Sequence, residues 1–202
     1  MFSTSGNRLR VVETALGEKV TKTEVDTDVN IEIAGSCYST CCLVDDRALV
    51  MVVGCDAKNV FSAIVSVGPG ELNRESIHVE VLEVKGLEFW SRCPYLAQIG
   101  ENRVWASFAD SDEVWFCEIK ASAIEWTKSE AKLPTIYGFG TLPLRLPDGR
   151  FLAAGTDPHS TDIYAITPGD ELSFEKVGNF PGAGRCRVST VLLGDRFVIG
   201  FG

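Results

Sequence analysis

Arg92 and Arg185 are the residues best suited to bind something. Each stands eleven positions before another arginine, Arg103 and Arg196 respectively. Two guanidiniums at corresponding places offer planar, bidentate donors for a carboxylate or phosphate. Three short polar loops, Cys55–Asn59, Ala109–Glu113 and Thr156–Thr161, supply acceptors and one imidazole. The candidate partner-binding residues are therefore Arg92, Arg185, Asp56, Asp110, Asp112, Asp157 and His159. The alternative for the two arginines is structural: they bridge neighbouring sheets by bonding backbone carbonyls or nearby carboxylates.

Catalytic chemistry finds little material. The only histidines are His78 and His159, on different segments, and Ser160 beside His159 is adjacency, which does not make a nucleophile–base hydrogen bond. The carboxylates are those of an acidic soluble surface. Gly138-Phe139-Gly140 lacks the lysine and helix of a phosphate loop. No CxxC pair occurs among the seven cysteines, so neither zinc nor any other cofactor is expected. The expectation is a protein without enzymatic activity.

Net charge is −9, which disfavours nucleic acid and membrane surfaces as partners. No apolar run reaches the length of a membrane span, and residues 1–8 lack the apolar core of a signal peptide. Cys37, Cys93 and Cys186 each lie ten residues before a recurring arginine, where Gly140 takes the same place in another copy. That register reads as a tight, buried site for small side chains. Strand alternation sends Cys41 and Cys42 to opposite faces. Buried thiols and the lack of an N-x-Ser/Thr site point to the cytoplasm.

What must position these residues is a phrase that occurs four times. An apolar run, a turn of small or acidic residues, an arginine and a second apolar run recur around Arg47, Arg103, Arg150 and Arg196. These four arginines flank turns and are read as structural. Aligned on them, the chain shows first strands at Tyr38–Val44, Pro94–Ile99, Thr141–Leu146 and Arg187–Leu193. Second strands are Ala48–Val53, Val104–Phe108, Phe151–Ala154 and Phe197–Phe201. Third strands are Val60–Val67, Val114–Ile119 and Asp162–Ile166, and fourth strands Ile77–Val84, Ala123–Thr127 and Leu172–Val177. Trp115, Trp126, Tyr164 and Phe174 fall at matching places and are expected to fill wedges between sheets.

A repeat of about fifty residues made of short strands predicts an all-β radial array, a β-propeller. The chain ends after a second strand and begins with Arg8–Glu13 and Val20–Val29, which read as a third and a fourth. The prediction is one domain over 1–202 with four blade equivalents of four antiparallel strands. The blades cover about 36–90, 91–133 and 134–180, with a composite blade from 181–202 plus 8–35. This is a closed ring, or part of a larger one completed by self-association or by further sequence.

The chain resembles the kelch family of propellers. Pro181-Gly182-Ala183-Gly184-Arg185 followed by Ser189–Gly200 looks like the opening of a kelch blade. Leu146-Pro147-Asp148-Gly149-Arg150-Phe151-Leu152-Ala153-Ala154-Gly155, then Tyr164, looks like its middle. The glycine pair that ends the second kelch strand is degenerate in every copy here. The resemblance implies a propeller fold. Because the loops joining second to third strands and those leading into first strands share one rim, a protein or peptide is the expected partner. The rivals are a structural subunit of a large assembly, and an enzyme or carbohydrate-binding domain with a site in the central channel.

Overall fold

Val, Ile, Trp and Phe recur along the segments between turns, and such residues pack best on a pleated surface. In the computed structural model the described residues are 2–5, 8–16, 20–31, 33, 37–54, 59–87, 94–108, 111–134, 143–154, 160–182, 189–194 and 196–200. They form seventeen strands and no helix. No helix among them is therefore long and apolar enough to cross a membrane.

Three strands come first: β1 (Phe2–Ser5), β2 (Arg8–Leu16) and β3 (Val20–Asn30). The first repeat supplies β4 (Cys37–Val44), β5 (Arg47–Gly54), β6 (Val60–Val67) and β7 (Ile77–Lys85). The second supplies β8 (Pro94–Gly100), β9 (Arg103–Phe108), β10 (Glu113–Ile119) and β11 (Ala123–Lys132). The third supplies β12 (Leu144–Arg145), β13 (Phe151–Ala154), β14 (Asp162–Thr167) and β15 (Ser173–Asn179). Last come β16 (Ser189–Leu193) and β17 (Arg196–Gly200). Each of the sixteen strands expected from the sequence has a counterpart among the described residues, and positions 141–142, 187–188 and 201 of the expected strands lie outside them. The added one, β1, has no place in the repeat.

Each repeat is an antiparallel meander, so local hairpins set the register. The turns before the arginines need left-handed backbone: φ is +56° at Asp45, +54° at Asn102, +88° at Gly149 and +62° at Gly194. Asp, Asn and Gly are the residues that tolerate this region, which explains the turn half of the recurring phrase.

The sheets differ from four equal blades. The first two repeats join through a parallel ladder of Ala123, Ile124 and Glu125 against Glu83, Val84 and Lys85. The result is one eight-stranded sheet, β4-β5-β6-β7-β11-β10-β9-β8. Its end strands β4 and β8 lie against each other, so it is nearly closed and barrel-like. Gly86 permits the join: its φ is +72°, and a Cβ there would lie 2.4 Å from the Trp126 carbonyl oxygen. The third repeat is a separate four-stranded sheet, and β16–β17 and β1-β2-β3 are sheets of their own.

The sequence reading joined β17 to β2 in a composite sheet. Here β1 takes that edge of β2, in register from Phe2↔Val11 to Ser5↔Arg8. Two residues separate β1 from β2, so closing this hairpin costs far less entropy than joining the chain ends.

Three cores lie between successive layers of the chain: the N-terminal sheet and the three repeats. Leu9, Val11 and Ile31 pack on Val50, Val52 and Val65 of the first repeat. Leu49, Met51 and Ile64 of the first pack on Val104, Ala106, Phe108, Trp115 and Trp126 of the second. Ala97, Trp105, Val114 and Phe116 of the second pack on Phe151, Ala153 and Ile166 of the third. Alternation along β5 and β9 feeds a core on each side, which is why both read as continuous apolar runs. Each buried Val, Leu, Ile, Met or Phe side chain among these contributes ~1.5–3 kcal/mol. Trp105 meets Phe151 edge-on, with ring centroids 6.2 Å apart.

Candidate binding surface

The strand starts form two rims. One carries the loops leading into first strands and those joining second to third strands. Arg92, Arg185, Asp56, Asp110, Asp157 and His159, six of the candidate binding residues, lie outside the described residues. Asp112 is described. Its carboxylate holds Lys132 Nζ at 2.8 Å, and its backbone oxygen accepts from Leu133 N at 2.8 Å. Lys132 keeps the Asp112 carboxyl below the ordinary carboxylate range. It is thus engaged within its own sheet.

The repeats share one strand order, so their third and fourth strands can be compared position by position through the ladders. In the second repeat Glu113 accepts from Trp115 Nε1 at 3.2 Å and pairs with Lys128. In the third, Asp162 takes the corresponding part: it accepts from Tyr164 Oη at 3.1 Å and holds Lys176 at 2.8 Å. Both carboxyls are held below their usual range, chiefly by these lysines. Such stabilisation is complete at neutral pH and fades as pH falls through and below the carboxylate range. Ser111 and Ser160 lead into the two trios alike, each accepting a backbone N–H two residues on, at 3.1 Å.

In the first repeat the ladder places Phe61, Ala63 and Val81 where the acid, the aromatic and the lysine stand. The charged trio is replaced by an apolar one. Phe61 and Val81 line a groove of about 390 Å³ with Ile33, Asn30 and Asn59. It sits where the end of β3 meets the start of β6, beside the loops that lead into β4 and join β5 to β6. Gly54 N closes the latter loop by donating to Asn59 O at 2.9 Å. Val81 is half exposed there. The sequence reading missed this groove because it looked for charge on the loops. The signal was a change of residue type at fixed repeat positions.

The opposite rim carries the recurring arginines. Arg103 Nη1 and Nη2 donate to Gly169 O and Asp170 O at 3.0 and 2.9 Å, and the guanidinium lies 4.4 Å from the Phe116 ring centroid. It staples the second repeat to the turn between β14 and β15. Gln98 Nε2 donates to Asp45 Oδ1 at 3.1 Å, and Ser129 bonds Glu171, adding further links between repeats. Arg150 pairs with Asp148 within its own turn, at 2.7 Å.

Arg47 faces the second repeat as Arg103 faces the third, but it makes no such bonds among the described residues. The facing turn, Lys120–Ser122, is two residues shorter than residues 168–172, and Ile64 replaces the Phe116 shelf. A pocket of about 170 Å³ remains between Arg47, Glu80, Asn102 and Lys120.

No family model, curated protein or solved structure matches this chain. Function must therefore be argued from the surface itself. Among the described residues no group of three His, Cys, Asp or Glu side chains could hold a metal ion. The described thiols Cys42 and Cys117 are pushed up to about 12 by burial, so neither is a nucleophile at neutral pH.

Proposed function

We propose that the chain is a non-enzymatic interaction scaffold of kelch-like propeller type, binding an extended segment of a partner protein at one rim. The groove of Phe61, Val81, Ile33, Asn30 and Asn59 carries this reading. Its floor offers apolar contact for one anchoring side chain, and its amide-bearing residues suit the main chain of a peptide. In the other two repeats ion pairs fill the corresponding positions. A rigid scaffold with a core on both faces of β5 and β9 supports the same reading, because it fixes the loops at little entropic cost on binding. Arg92 and Arg185, which lie outside the described residues, are the donors this reading assigns to an acidic group on the same partner.

The test is selection from a random peptide library. The wild-type chain enriches peptides with a large apolar anchor. Val81→Lys weakens the selected peptides about tenfold or more without a change in melting temperature, since Val81 is half exposed. Arg92→Ala and Arg185→Ala weaken peptides that carry an acidic residue. No enrichment, or equal binding by all three variants, refutes the proposal.

A further inference from the structure

Four of the largest exposed apolar side chains fall on two faces: Leu43 on β4, and Val191, Leu193 and Val198 on the β16–β17 hairpin. Leu43 is 68% exposed and Leu193 60%. We infer that these two faces are mates, and that the hairpin of one copy of this chain docks on β4 of a second copy.

A contact of this kind is already present inside the chain. Between the first and second repeats, β8 lies against β4. Leu96 and Gln98 on β8 face toward Cys42 and Val44 on β4, with Leu96 and Val44 in one core and Cys42 packed on it. The ladders convert this contact residue for residue. Cys41 and Leu43 occupy in β4 the places that Leu96 and Gln98 occupy in β8. Val191 and Leu193 occupy in β16 the places of Cys42 and Val44 in β4. The face that receives a neighbour in one repeat and the face that supplies one in the next are thus both present, and both uncovered. Cys41 is exposed beside Leu43, and Val191 and Val198, cross-strand partners, are 46% and 39% exposed beside Leu193.

A second copy is the occupant because the chain's own sheets are committed elsewhere. Among the described residues the sheet β1-β2-β3 covers β5 to β7 and not the β4 face, and β1 holds the edge of β2 that β17 would extend. The hairpin itself contacts β12 of the third repeat. Docking the hairpin of one copy on β4 of another is a head-to-tail contact, which closes into a ring or continues as a filament. The charge of −9 on each copy opposes it at low ionic strength, so salt strengthens the association.

Sedimentation at rising concentration, with Leu43→Asp and Leu193→Asp, tests this. Both positions are exposed, so both variants keep the wild-type circular dichroism spectrum. Wild type passes beyond the monomer mass as concentration rises, and more readily in salt. Each variant alone associates at least about tenfold more weakly, because a carboxylate enters an apolar contact. An equal mixture of the two variants forms a dimer and stops there. The Leu43→Asp chain still has an intact hairpin and the Leu193→Asp chain an intact β4, so one contact of the pair survives. A wild-type chain that stays monomeric overturns the inference, as does association that ignores both substitutions. A mixture that behaves like its separate components overturns the pairing of the two faces.

Discussion

Arg103 and Arg47 occupy the same place in the repeat and do different work. Arg103 donates to two turn carbonyls and lies over an aromatic ring; Arg47 faces a turn too short to reach it. Arg103→Ala is therefore expected to lower stability by about 1–2 kcal/mol, allowing for the solvent that reaches this rim. Arg47→Ala should stay within about 0.5 kcal/mol. Urea denaturation midpoints of the two variants measure the difference; equal losses would mean that the carbonyl bonds contribute nothing. The sequence showed both arginines as turn-flanking but could not tell them apart. Their difference lies in the length of a loop on the next repeat, far away in the chain. Cys41 and Cys42 were readable from strand alternation alone: Cys41 is exposed, and Cys42 packs on the core between the first two repeats.

Strands and turns follow from local rules, and the glycines show where those rules end. At Gly149 φ is +88° and a Cβ would meet nothing within 4 Å. Gly149→Ala should therefore cost only the left-handed conformation, about 1–2 kcal/mol. At Gly86 the same conformational cost is joined by the overlap of Cβ with the Trp126 carbonyl. Gly86→Ala is expected to cost more than about 3 kcal/mol, because the contact is with backbone and cannot swing away. It should also free the edge between β7 and β11, visible as faster amide exchange at Glu83–Lys85 than at β5. If both substitutions cost the same, the close approach at Gly86 is not what holds the two repeats together. Asp148-Gly149-Arg150 announced its turn in the sequence; Gly86 gave no sign of its role, since its partner lies forty residues on.

Across the molecule, β5 and β9 are shared between cores, so the sheets cannot come apart one at a time without exposing a second core. The four layers joined by these three cores should unfold together. Urea unfolding followed by tryptophan emission, which reports Trp105, Trp115 and Trp126 in buried sites, should coincide with loss of the β-sheet circular dichroism signal. Phe108→Ala, which empties a site 1% exposed, should shift both signals together by about 3–5 kcal/mol. Separate transitions would show that the cores are independent. The whole-molecule reading was only partly legible. An all-β chain of stacked meanders follows from the repeat, whereas the merging of two repeats into a nearly closed eight-stranded sheet does not.

The sequence by itself determined the strands, the left-handed turns and the alternation that gives β5 and β9 two buried faces, because each depends on residues within one or two strands. Tertiary structure alone decided which edges pair, that β1 rather than β17 adjoins β2, which arginine finds its carbonyls, and where an apolar groove opens. These depend on distances between segments far apart in the chain, and no local pattern of residue types encodes them.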